Sequence, residues 1–144
     1  ILSFLNAFID KFYAFIICMS TSDSEFIFET EPRSLGKISA GRDMVEGKIN
    51  FAGQVVQQTD EVWNFRTEEK DFYYKLHSFT WLDDLAALAS VEARLLAQNW
   101  LHSWINKYSS GFGPGWTPVL TGMRLVRWTH HYLFLTQGCS ETKL

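Results

Sequence analysis

The stretch VEARLLAQNWLHSWINKYSSGFGPGWTPVLTGMRLVRW, residues 91–128, decides the fold. Leu96, Trp100, Trp104 and Tyr108 recur every four residues, with Ala93, Ala97, Leu101 and Ile105 beside them. That recurrence is one face of a helix, predicted over residues 91–108. Ser90 suits its N-cap, and Glu92 puts a carboxylate in the first turn, where the helix dipole favours it. Residues 109–116, SSGFGPGW, end the helix with three glycines and Pro114. A further helix is predicted over residues 119–136. Leu120, Met123 and Val126 supply its apolar side, and Arg124, Arg127 and His131 step along another face.

Before this stretch, apolar residues fall at Phe72, Leu76, Phe79, Leu82, Leu85 and Leu88, with Trp81 widening the face. The intervals of three and four predict one helix over residues 71–88. Helices joined by short turns pack as antiparallel hairpins. Residues 20–65 read differently. Pro32 and glycines at 36, 41, 47 and 53 punctuate them, and EFIFET at residues 25–30 alternates like a half-buried strand. KINFAGQVVQ (48–57) and EVWNF (61–65) are expected as short strands joined by the turn Gln58-Thr59-Asp60. No helix is expected in this zone. Residues 1–19 are rich in Phe, Ile and Leu, split by Asp10 and Lys11. They read as an amphipathic helix packed on something else, and less well as a membrane or export segment. The chain thus divides into an apolar N-terminal helix (1–19), an extended segment (20–65) and helical hairpins (66–144).

The 144 residues suffice for one ordinary domain. Apolar residues form 47% and aromatics 16%, with six Trp, twelve Phe and five Tyr. Such a chain is not disordered, and its rings need a core, a partner surface or a groove. A net charge of −3 argues against a duplex nucleic-acid binder with a dominant basic face. Cys18 and Cys139 are too few and too far apart to assign a disulfide, and no spacing suggests zinc.

Four words occur in order: FAGQVV (51–56), LHSFTWLDDL (76–85), ARLLAQNWLHSWI (93–105) and GWTPVLTGMRLVRW (115–128). Together they resemble the N-terminal region of the heparinase II/III family of polysaccharide lyases. There a helical pair precedes a Trp-containing loop and then a helix with an Arg and a Trp one turn apart, matched here by Arg124 and Trp128. The resemblance covers about 90 residues. It implies a mainly α fold, a partial (α/α) toroid of antiparallel hairpins preceded by an extended, short-strand segment. It also implies cleavage of uronic-acid-containing polysaccharide by β-elimination, with no cofactor. The family's Tyr and His move the proton, and its Asn helps neutralise the uronate. None of the Asn residues here precedes a His, so no catalytic residue is carried over. The chain reads as a piece whose reactive groups lie further on. The expected partners are an acidic polysaccharide and the rest of the same chain, not nucleic acid or a membrane. The resemblance favours the periplasm or cell envelope.

The candidate substrate-binding residues are Trp81, Trp116, Arg124 and Trp128. Trp81 lies in a helical stripe and reads either as core or as a platform for a sugar ring. Trp116 follows Gly115 in a loop, which leaves its ring freer to face a groove. Arg124 and Trp128 share a helix face at i and i+4. A guanidinium there can clamp a carboxylate or sulfate, or it can stack on Trp and brace two helices, the reading favoured by the residues. His130 and His131 point about 100° apart on a helix and cannot easily share a metal; they read as a structural pair. His77 and His102 read as satisfied residues of the helical faces, and Asp83-Asp84 as a solvated face. The Gly-rich loop lacks the Lys and preceding strand of a phosphate cradle. A non-catalytic carbohydrate- or partner-binding module on a related toroid is the alternative to a lyase. A membrane-associated helical protein anchored by residues 1–19 is a weaker third reading. Hairpins cut from a ring would leave apolar faces uncovered, so poor solubility is expected.

Overall fold

The computed structural model describes residues 35–57 and 62–138. The predicted segments at residues 1–19 and 25–30, the turn at 58–60, and both cysteines lie outside them or at their edges. Over the described residues the chain is mainly helical, with one small antiparallel sheet. The order is α1 (Ile38–Val45), β1 (Lys48–Phe51), β2 (Gln54–Gln57), a 3-10 turn (Val62–Asn64), α2 (Lys70–His77), α3 (Thr80–Leu88), α4 (Val91–Tyr108), α5 (Pro118–His130) and α6 (Tyr132–Thr136).

Helix α4 is the axis of the core. Ala93, Ala97, Trp100, Trp104 and Tyr108 are its buried residues, at the spacing read from the sequence. The Ser90 side chain accepts the Ala93 N–H at 3.1 Å, capping the helix as expected. Ile105 instead faces solvent, 38% exposed. Around α4 pack Trp63, Phe72, Leu76, Phe79, Trp81, Leu82 and Leu85, all at 5% exposure or less. Trp63 donates its indole N–H to the Trp100 carbonyl at 3.0 Å, and Trp81 donates to the Leu76 carbonyl at 3.0 Å. These rings therefore enter the core with their polar edges satisfied.

Five local readings are corrected. The helix expected over residues 71–88 is two helices, because Phe79 takes a left-handed conformation, φ 60°. Ser78 and Thr80 hydroxyls both donate to the Lys75 carbonyl at 3.2 Å, so side chains take over a helical acceptor at the break. The Phe79 ring is fully buried against Trp63, Trp81, Trp104 and Trp128, at centroid distances of 4.8–5.8 Å. That burial, about 2–3 kcal/mol, outweighs the cost of about 1–2 kcal/mol for one left-handed residue. Apolar spacing continues across the break and conceals it.

Residues 48–57 are a hairpin and not one strand. Ala52 (φ 53°) and Gly53 (φ 80°) form its two-residue turn, both at the positive φ that type I′ turns need. Ile49 and Phe51 face the core, pairing across the sheet with Val56 and Gln54. EVWNF contributes a 3-10 turn where a strand was expected. A helix stands at Ile38–Val45, in the zone expected to hold none. It is short, contains Gly41 and has no side-chain cap, so the sequence carried little sign of it. It docks on α3, where the Lys37 backbone N–H donates to Asp84 Oδ1 at 2.6 Å. Finally, the helix expected over residues 119–136 breaks at His131 (φ −106°, ψ 22°) into α5 and α6. Thr117 caps α5 through the Leu120 N–H, and Pro118 stands at its first position.

The Ser90 cap gives a direct test of the α4 assignment. Ser90→Ala should cost about 1 kcal/mol in urea unfolding. Ser110→Ala, at an exposed loop position, should change stability by less than about 0.5 kcal/mol.

Candidate functional site

The candidate residues gather around Arg124 on α5. Its side chain is buried, 2% exposed. One guanidinium nitrogen donates to the Gly115 carbonyl at 3.0 Å and to the His77 carbonyl at 3.3 Å; the other donates to Thr121 Oγ1 at 3.3 Å. The guanidinium carbon lies 4.2 Å from the Trp104 ring centroid, 5.2 Å from Trp116 and 5.6 Å from Trp128. Among the described residues no carboxylate pairs with it. Burial pushes its pKa down to about 10, so it stays charged at neutral pH. Of the two readings of Arg124, this geometry is the brace: carbonyls and indole faces supply the negative potential that a counter-ion would otherwise give.

His77 completes the cluster. Trp104 donates its indole N–H to His77 Nδ1 at 3.2 Å. That nitrogen is then an acceptor, which assigns the neutral ring with its proton on Nε2. Burial, then the charges of Arg124 and Lys107, hold the His77 pKa at about 4. Gly115 is required by close approach, since a Cβ there would stand 2.8 Å from His77 Nδ1. This is why the loop word reads Gly-Trp: the glycine lets the backbone reach Arg124 while Trp116 folds over it. Trp116 donates to the Tyr108 carbonyl at 2.7 Å and remains 38% exposed.

The four candidate binding residues therefore occupy different environments. Trp116 keeps an exposed ring. Trp128 is half-buried, with an indole N–H that has no hydrogen-bond partner among the described residues. Arg124 is sealed in the cluster. Trp81, 1% exposed and edge-on to Trp100 at 4.9 Å, offers no ring face to a ligand.

Asp83-Asp84 is not a solvated face, and that expectation is corrected. Asp83 is 7% exposed, with Oδ2 accepting from Arg127 Nε at 3.2 Å and Oδ1 lying 2.8 Å from His131 Nε2. It ties α3 to α5 and to the break before α6, because all three groups meet only once the helices pack. Asp84 receives the Lys37 N–H, and burial pushes its carboxyl pKa up. A polar cleft of about 520 Å³ lies beside this pair, between α1, the hairpin and α3. No group of three or more His, Cys, Asp or Glu among the described residues could hold a metal ion. No helix among them is long and apolar enough to cross a membrane.

A second groove, of about 740 Å³, is lined by Trp63, Phe65, Tyr73, Tyr108 and Pro114, with Arg66 and Lys107 among its polar groups. No pattern in the sequence marks it. Its residues come from the 3-10 turn, the loop that follows it, α2, α4 and the Gly-rich loop, and only Tyr108 belongs to an apolar stripe noted above. No protein-family model, curated protein or solved structure matches the chain.

Two outcomes are expected. Arg124→Lys should destabilise by about 2–4 kcal/mol in chemical unfolding, because an ammonium cannot span both carbonyls and lie flat against the indoles. The lowered His77 pKa means that the unfolded chain takes up the proton first. Its contribution is fully present above pH 6.5 and declines as pH falls from 6.5 to about 4. The loss is at most about 3 kcal/mol. Asp84, with its raised pKa, acts in the opposite sense. Comparing unfolding of the parent with His77→Asn across that window isolates the histidine: the variant should lack this component.

Proposed function

We propose that this chain supplies early hairpins of an (α/α) toroid in a heparinase II/III-like polysaccharide lyase. The observation that carries the reading is convergence on Arg124. His77 and Phe79 come from the word at residues 76–85, Trp104 from 93–105, and Gly115, Trp116, Arg124 and Trp128 from 115–128. The word at residues 51–56 forms the hairpin, whose Phe51 packs on Phe72 at 5.4 Å. The words that carry the resemblance are thus parts of one packed unit. Val119, Val126 and Leu133, seven residues apart, are each more than half exposed on α5 and α6. Val119 and Val126 share one face of α5, and this exposed apolar surface supports a reading in which further hairpins pack there.

In this reading the substrate is a uronic-acid-containing polysaccharide, and the reaction is β-elimination. A base removes the weakly acidic proton beside the uronate carboxylate while a donor neutralises the charge that builds there. The bond to the leaving sugar oxygen breaks as the double bond forms. This chain's part is architectural: Arg124 sets the distance between the Gly-rich loop and α2, and so places Trp116 at the edge of the cluster. The base and neutralising donor are assigned to no residue here. The same reading favours the periplasm or cell envelope. The alternative is a non-catalytic carbohydrate-binding module, favoured by the aromatic groove with its two cations.

The test is to express the protein from its full coding sequence and incubate it with uronate polysaccharides. Growth of ultraviolet absorbance from an unsaturated product is expected. Binding without that product would replace the lyase with the binding module.

A further inference from the structure

We propose that the groove between the 3-10 turn and the end of α4 binds an anionic oligosaccharide, with a sugar ring on its aromatic wall and an acidic group at Arg66 and Lys107. The inference deepens the reading above and rests on it for the ligand's polymeric nature. Its position rests on the groove alone, which lies apart from the sealed guanidinium of Arg124.

The groove is built and held from several sides. Tyr73 accepts the Thr67 N–H at 3.2 Å and donates to the Phe65 carbonyl at 3.5 Å, pinning the loop that presents Arg66. Thr67 Oγ1 bonds Gln54 and the Glu69 N–H at 3.0 and 3.1 Å. Lys107 donates to the Trp63 carbonyl at 3.0 Å and to Asn64 Oδ1, and its ammonium stands 5.8 Å from the Tyr108 ring centroid. On the other side the Gly-rich loop presses onto Tyr108: a Cβ at Gly113 would lie 2.7 Å from that ring, and its φ is +121°. A glycine is therefore needed to bring Pro114 to the groove. These contacts fix the wall before any ligand arrives, which lowers the entropy lost on binding.

The chemistry of the lining selects the ligand. The partly exposed rings of Phe65 and Tyr73 and the exposed Pro114 suit the apolar face of a pyranose ring, with the buried Trp63 and Tyr108 backing them. Arg66 is exposed, and no hydrogen bond or ion pair to another described residue occupies its guanidinium. Two cations face one carboxylate, Glu68, so the lining is net positive on a chain of net charge −3. Beyond Lys107 the surface continues past Asn64 into a shallower groove of about 600 Å³ holding Asn99, His102 and Asn106. Amides that both donate and accept suit sugar hydroxyls. A single-stranded nucleic acid also uses stacking and cations, but it needs a wider basic track than one net charge provides.

The test uses the protein from its full coding sequence, titrated calorimetrically with four probes. These are a hyaluronan oligosaccharide (carboxylate only), a heparin oligosaccharide (carboxylate and sulfate), a neutral cello-oligosaccharide and oligothymidylate. Binding of one or both anionic sugars is expected, weakened about tenfold by Arg66→Gln with unchanged thermal unfolding. Asn106→Ala should weaken the longer oligosaccharides more than the short ones. Whichever anionic probe binds tells carboxylate from sulfate recognition. Equal affinity in the parent and a folded Arg66→Gln variant would overturn the proposal, as would tighter binding of the neutral sugar or of oligothymidylate. Unsaturated product formed with the same KM by parent and variant would sink the groove and keep the lyase. Binding lost in the variant, with no product from either, would sink the lyase and keep the groove.

Discussion

A buried guanidinium without a paired carboxylate is costly to remove from water, and the packing around Arg124 is arranged to offset that cost. Two carbonyls lie at 3.0 and 3.3 Å, and three indole rings surround the cation within 5.6 Å. These partners come from four segments: the end of α2, the Gly-rich loop, α4 and α5 itself. No two of these segments satisfy it alone. The charge can be buried only when all four are in place, so the arginine couples local elements that the chain separates by up to 47 residues.

The same logic recurs at Asp83. Its carboxylate is buried between Arg127 and His131, and it holds α3 against α5 where the latter breaks. The two clusters sit on successive turns of α5, since Arg124 and Arg127 are three residues apart and face adjacent elements. One arginine is matched by dipoles and rings, the other by a carboxylate. Aromatic packing joins them: Phe79 lies edge-on to both Trp104 and Trp128, at 5.8 and 5.4 Å. Most of the aromatic rings among the described residues belong to this core, built largely from ring edges meeting ring faces.

The consequence for function is a division of labour. The tryptophans and the arginine that looked best suited to hold a sugar are largely structural, Trp116 keeping the most open ring. The concave surface with partly exposed rings and an exposed guanidinium lies instead at Phe65, Arg66 and Tyr73, beside Lys107. These residues had no pattern to mark them. Arg66 stands in a loop, Tyr73 on the flank of a short helix, and Lys107 one residue from the last member of an apolar stripe. What unites them is a shared concavity, and spacing along a chain carries no record of that.

Periodicity and capping by themselves determined α4. Its repeat of three and four residues and the Ser90 cap are local properties, and local rules decide them. The helix breaker at residues 109–116 and the predominance of helix were equally local. Only the tertiary structure decided the break at Phe79, the hairpin turn at Ala52-Gly53, the short α1 and the burial of Asp83. At Phe79 and Asp83 an interaction with a distant segment outweighs the local preference: an aromatic cage holds a left-handed Phe79, and an arginine and a histidine hold a buried aspartate. A sequence displays what each residue prefers, but the energy that overrides the preference belongs to partners dozens of residues away.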